Sequence, residues 1–154
     1  MAAPGQRSNN KPGIGVGVDG SGASKQALEW AVKHAAQDHV PLTVLAVHEV
    51  AESWWTGSSV SYPQDRADEE RARQAVQEEL NKILGELGDN KPESVTVRVV
   101  SGQAAAVLID ASGNADLVVV GSRGAGGFPH LRLGSVTTKV VSHAECPVVV
   151  VRHT

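Results

Sequence analysis

Aromatic side chains are scarce in this 154-residue chain, at 3% of positions, so its core cannot rest on ring packing. Valine, alanine and leucine must fill it instead, within a hydrophobic share of 41%. Cysteine is scarcer still. Cys146 stands alone, which excludes an intrachain disulfide and fits a reducing interior. An excess of positive charge is also missing. The 14 lysines and arginines are outnumbered by 17 acids, giving a formal net charge of −3. No basic block or basic–aromatic alternation of the kind that grips nucleic acid occurs. No apolar run approaches the roughly 18 residues of a membrane span, and the opening "MAAPGQRSNNKPG" carries no apolar leader core. The histidines (His34, His39, His48, His130, His143 and His153) show no metal-ligand spacing, so no side-chain metal cluster is expected. These absences leave the profile of a soluble, cytoplasmic domain long enough to bury its own core.

What is present has a clear order. Residues 1–12 are polar and rich in Gly, Pro and Asn, which predicts a disordered tail before one domain at 13–154. "IGVGVD" (14–19) reads as a short strand ending in an acid. Ala23, Ala27, Ala31 and Ala35 then recur four apart beside Leu28 and Val32, a small-residue helix face entered through Ser21 as N-cap. Pro41 breaks the chain before a buried strand at 42–50, and a polar loop holding Trp54-Trp55 follows. A long amphipathic helix is expected from about Asp65 to Leu87, with Val76, Leu80, Ile83, Leu84 and Leu87 on one stripe. Next come a strand at 94–100, a short helix capped by Ser101 or Gly102 and closed by Gly113, and a strand at 115–121. A glycine-rich loop (122–133) leads to a helix opening at Gly134-Ser135, and "VVVVR" ends the chain as a strand.

Five strands separated by four helices pair in parallel through right-handed crossovers. The valine runs at 118–120 and 148–151 predict strands covered on both faces. The fold class is therefore α/β: a single doubly wound, Rossmann-like five-stranded parallel sheet in the order 3-2-1-4-5, with helices on both faces. Such a sheet places its ligand crevice beyond the carboxyl ends of the first and fourth strands. Both of those strands end in glycine-rich turns, "VDGS" and "GSRGAGG".

Gly15, Gly17 and Gly20 have the spacing of a dinucleotide fingerprint, yet the first two lie inside the first strand rather than after it. A packing role for these strand glycines is the stronger reading. The second glycine set is different. Gly121, Gly124 and Gly134 follow a strand in the pattern G-x2-G-x9-G-S, and Gly134-Ser135 opens a helix whose free N–H groups favour an anion. Ser135 adds a hydroxyl, and Thr137 or Thr138 can add another. A phosphate site and a glycine loop without a ligand both fit this pattern.

"GVDGS", "ADLVVVGSRG", the G-x2-G-x9-G-S spacing and the terminal "HAECPVVVVR" together resemble the universal stress protein family over nearly all of residues 14–153. The full glycine–serine pattern resembles that of the members that bind ATP. The resemblance implies that Asp19 contacts ribose, with Gly17 and Val18 on the base side and the Val47 backbone reading the adenine edge. It implies that Val120, with the Gly121–Ser122–Arg123–Gly124 turn, lies over the ribose and first phosphate. Gly134, Ser135, Val136 and Thr137 would then take the outer phosphates, with Mg²⁺ held by the nucleotide. It further implies a homodimer paired through Val148–Val151. The loop departs from the family pattern in "FPHLRL" (128–133), where Pro129 would stiffen the chain, Arg132 could reach a phosphate, and His130 and Phe128 could equally close the pocket. Some relatives bind cyclic AMP instead, and these motifs do not separate the two ligands.

No catalytic residue is expected. Asp19 has no paired base, Cys146 has no partner that would activate it, and "DRADEERARQ" reads as a solvated helix face. The expected role is that of a nucleotide-binding stress-response sensor or adaptor, with at most slow ATPase side activity. A partner-binding dimer with an empty pocket is the competing reading.

Overall fold

The structure is a computed structural model and describes residues 12–48, 63–123 and 133–153. Along the chain run β1 (Ile14–Val18), α1 (Gly22–Asp38), β2 (Pro41–His48), α2 (Pro63–Leu87), β3 (Ser94–Ser101), α3 (Ala104–Ser112), β4 (Leu117–Gly121), α4 (Ser135–His143) and β5 (Val148–Val151). The five strands form one sheet in the order β3-β2-β1-β4-β5, every pair parallel, as the sequence predicts. Most of the tail, Trp54-Trp55, residues 49–50 and the loop positions 124–132 lie outside the described residues.

Period-two alternation sorts the strand side chains onto two faces. Ile14, Val16, Val18, Leu42, Val44, Ala46 and Val119 form one core with the α1 residues Ala27, Leu28, Ala31, Val32 and Ala35 and with Leu80 and Ile83 of α2. On the opposite face Leu45, Val118 and Val120 pack with Leu108 of α3 and Val140 of α4. The alanine face lets α1 lie close against the sheet, and Ala27, Ala31 and Ala35 are wholly buried. Ser21 caps this helix as expected, its side-chain oxygen accepting from the Ser24 N–H at 3.2 Å. On the outer face of α1, Lys33 reaches Glu29 at 2.7 Å, and that hydrogen bond holds its ammonium above the usual lysine range.

Several boundaries differ from expectation for local reasons. β2 begins at Pro41 itself, because a strand's first residue is a position that proline tolerates. α2 starts at Pro63, a residue suited to the first helical turn, rather than at Asp65. Neither Ser101 nor Gly102 caps α3. Ser101 still belongs to β3, and Gly102 spends its freedom on a turn at φ +146°, leaving Gln103 as an N-cap without a side-chain bond. β4 begins at Leu117 rather than at residue 115. Asp116 before it staples the start of β1, its N–H donating to the Gly13 carbonyl at 2.8 Å and its carboxylate accepting from the Gly13 N–H at 3.2 Å. β5 is only half-buried, because it is an edge strand, whereas Val118, Val119 and Val120 of β4 are buried as expected.

The strand glycines divide. A Cβ on Gly17 would lie 2.9 Å from both methyl carbons of Leu108, so α3 settles onto the sheet where Gly17 leaves room. Gly15 meets nothing nearer than Val118 Cγ2 at 3.9 Å, an ordinary contact. The packing role therefore holds for Gly17 and not for Gly15. Accordingly, Gly17→Ala is expected to destabilise the domain by about 1–3 kcal/mol through overpacking. Gly15→Ala is expected to be neutral or slightly stabilising, because alanine restricts the unfolded chain. Thermal melts of the two variants check this, and equal losses would refute it.

Candidate functional site

The sheet opens where the winding reverses. β1 and β4 are in register from Ile14↔Leu117 to Val16↔Val119 and then part. β1 continues beside β2 to Val18↔Ala46, and β4 continues beside β5 to Gly121↔Val151. Gly17 and Val18 thus face Val120 and Gly121 across a gap at the carboxyl edge, the position where open parallel sheets take ligands.

One lip of the gap is the turn after β1. Gly20 adopts φ +85° there, which an L side chain rarely does. The Asp19 carboxylate accepts from the Ser21 N–H at 2.9 Å, and the Asp19 N–H donates to Ser24 Oγ at 3.3 Å. Ser24 Oγ in turn donates to the Ser21 carbonyl at 3.0 Å. The acid is exposed, and its turn is knitted to the first turn of α1.

The other lip is the turn after β4. A Cβ on Gly121 would lie 2.9 Å from the carbonyl carbon and oxygen of Ala23, so only glycine lets this turn rest against α1. Ser122 is buried; its N–H donates to the Val151 carbonyl at 2.8 Å, and its own carbonyl accepts from the Gly134 N–H at 2.8 Å. That last bond closes the neck of the segment leading to α4. Gly134 is the N-cap of α4, and no side chain among the described residues caps that helix end. The two helix starts beside the gap therefore differ, since Ser21 caps α1 with its side chain and the Gly134 N-cap of α4 has no side chain to offer.

The remaining expected site residues fall as follows. Val18 is buried in the α1 core, and Val47 lies half-buried one position past the last β1–β2 pair. Val120 is buried on the α3–α4 face, where half-buried Val136 packs beside it. Arg123 and Ser135 are exposed, and Gly124 lies outside the described residues. Thr137 and Thr138, either of which the sequence offers as one further hydroxyl, both face carbonyls. Thr137 Oγ1 donates to the Gly121 carbonyl at 2.7 Å and Thr138 Oγ1 to the Gly134 carbonyl at 2.9 Å. Sequence reasoning missed Ala23 and Ser24 as parts of the site. The four-spaced alanines did signal a close-packed face at Ala23, whereas nothing local marked Ser24.

Among the described residues no cluster of three or more His, Cys, Asp or Glu can hold a metal ion. An open groove of about 590 Å³ between α3 and the end of α4, lined by Ala106, Ile109, Asp110, His143 and Glu145, includes none of the expected site residues. Burial pushes the Cys146 thiol up from its ordinary value; a backbone hydrogen bond at Val118 opposes this and the Asp116 charge adds to it. The half-buried Cys146 thus lacks the lowered value that marks an activated thiol.

An open crevice at the switch point of a doubly wound parallel sheet, with a glycine-opened helix at one lip and an acid at the other, defines the class of the domain. The sequence model of the universal stress protein family matches residues 13–152, and the chain belongs to that family. A universal stress protein of Mycolicibacterium smegmatis is 36% identical over 140 residues, covering 90% of this chain and 47% of the relative. One of Mycobacterium tuberculosis strain H37Rv is 34% identical over 145 residues, covering 93% and 48%. The chain thus spans about half the length of these relatives. Among solved structures, a universal stress protein from Lactobacillus plantarum superposes with a TM-score of 0.75 at 23% identity, over 92% of this chain and 99% of its own. A universal stress protein in complex with cAMP gives 0.65 at 22% identity, over 92% and 96%. The Archaeoglobus fulgidus protein in complex with dAMP gives 0.62 at 19%, over 90% and 96%. At these identities the three share the fold. No helix among the described residues is long and apolar enough to cross a membrane.

The thiol assignment has a direct check. Alkylation of Cys146 by iodoacetamide at pH 8 is expected to run slower than for an unstructured cysteine peptide, since less thiolate is present. The rate should rise with pH to a midpoint above the ordinary thiol value, and denaturant should restore peptide-like reactivity.

Proposed function

We propose that this chain is an adenine-nucleotide-binding universal stress protein that takes ATP with Mg²⁺ and acts as a cytoplasmic, homodimeric sensor or adaptor rather than as a dedicated catalyst. The observation that carries this reading is the uncapped start of α4 set beside the parting of β1 and β4, with Asp19 on the opposite lip. The N–H groups at a helix start and the positive end of its dipole suit phosphate oxygens, and the carboxylate suits ribose hydroxyls. The cAMP and dAMP complexes of relatives with this fold support an adenine nucleotide as the ligand class. The donor set suits Mg²⁺ held mainly by phosphate oxygens, since the described residues offer the ion no cluster of their own. When bound, the ion would offset the charge of the outer phosphates beside Ser135.

Catalysis would require a group that positions an attacking water or acceptor. β5 supports the homodimer, because its four half-buried valines form a sheet edge that a second copy can cover.

The test is the melting temperature of the full chain alone, with ATP and Mg²⁺, and with cyclic AMP. At a hundredfold excess over Kd, binding is expected to stabilise the domain by about 2.7 kcal/mol, a rise of about 5–10 °C at this size. A rise with cyclic AMP alone would keep the site and change the ligand to a second messenger. No rise with either would favour a partner-binding dimer with an empty pocket. Replacing Gly124 with a bulky residue should abolish the ATP shift, and an undiminished shift would remove the glycine loop from the mechanism. Turnover above a slow background, lost in Asp19→Ala, would favour an ATPase.

A further inference from the structure

Gly22 is the first residue of α1, where its backbone does not need glycine: its φ is not positive, and glycine weakens a helix relative to alanine. The space above it is occupied. A Cβ on Gly22 would lie 2.6 Å from Nε2 of His153, 3.2 Å from its Cδ2 and 3.3 Å from its Cε1, so the imidazole lies directly against this glycine. His153 stands two residues past the end of β5, and its backbone N–H donates to Ser122 Oγ at 3.4 Å. Ser122 is the residue whose carbonyl holds Gly134 at the start of α4. β5 is parallel to β4, so its end emerges on the same sheet edge as the gap between β1 and β4.

From these contacts we propose that His153 is a positioning residue for the nucleotide site, a strut whose ring supports the Asp19 turn while its backbone is tied to the glycine turn after β4. The proposal rests on the nucleotide-binding reading above. Its ring bears on the first turn of α1, to which Asp19 is bonded through Ser21 and Ser24. Its N–H is linked through Ser122 to the N-cap of α4. The tail after β5 therefore fixes the width of the crevice between the ribose side and the phosphate side. Because the strut is the continuation of β5, anything that moves that edge strand reaches the crevice through it.

The experiment is a double-mutant cycle on the full chain, with Kd for ATP and Mg²⁺ measured calorimetrically well below melting and the melting temperature followed separately. Gly22→Ala and His153→Ala are each expected to weaken ATP binding by about three- to tenfold, and the double variant no further than either alone. His153→Phe, which keeps a ring over Gly22, is expected to retain near-wild-type affinity. That pattern, with melting temperatures little changed, supports the strut. Unaltered affinity in His153→Ala would overturn it, as would additive losses or a His153→Phe variant as weak as His153→Ala. Failure of the wild-type chain to bind ATP, AMP or cyclic AMP would instead overturn the nucleotide reading on which the strut depends.

Discussion

The site depends on how closely two turns can approach. The backbone after β4 rests on the first turn of α1, and at Gly121 there is no room for even one carbon beyond Cα. The obstacle is the Ala23 carbonyl, part of a helix backbone that cannot swing aside as a side chain might. This contact brings the acid turn after β1 and the glycine turn after β4 together, although β1 and β4 are no longer paired at that level. Each strand keeps its outer neighbour, β2 for one and β5 for the other, so the sheet opens without losing its edges.

The two helix starts beside this contact are finished differently. At α1, Ser21, Ser24 and Asp19 are bonded to one another, and the Ser21 side chain caps the helix. At α4 the N-cap is a glycine with no side chain to offer, and the nearby threonine hydroxyls point back to carbonyls of the turn. A glycine N-cap costs such a helix only about a few tenths of a kcal/mol relative to serine, so the second arrangement is a mild one.

Much of this could be read from the chain. The five-stranded order, the Ser21 cap, the alanine face of α1, the leucine–isoleucine stripe of α2 and the Gly134 opening of α4 all stand as the pattern indicated. The strand order follows from the winding rules for alternating strands and helices, and each of the others arises from periodicity or turn chemistry within one or two turns of the residue concerned. The errors share another origin. The α3 cap was misplaced because β3 ran longer and Gly102 was needed for the turn. β5 was expected to be covered on both faces because its composition matches that of β4, and composition does not distinguish a central strand from an edge. That Thr137 bonds the Gly121 carbonyl is not legible in the sequence, because it depends on where β4 ends.

By itself the sequence determined the element types, the faces they bury and the two turns that would matter, since periodicity, capping and glycine conformational freedom act over short stretches of chain. Only the tertiary structure decided which glycines make room and for what: Gly17 for Leu108, Gly121 for Ala23, Gly22 for His153, and Gly15 for none of them. It also decided that Asp116 staples the start of β1 and that Ser122 joins the chain's end to the start of α4. These contacts join residues far apart in the chain, and such pairings exist only once the sheet has fixed its order and register.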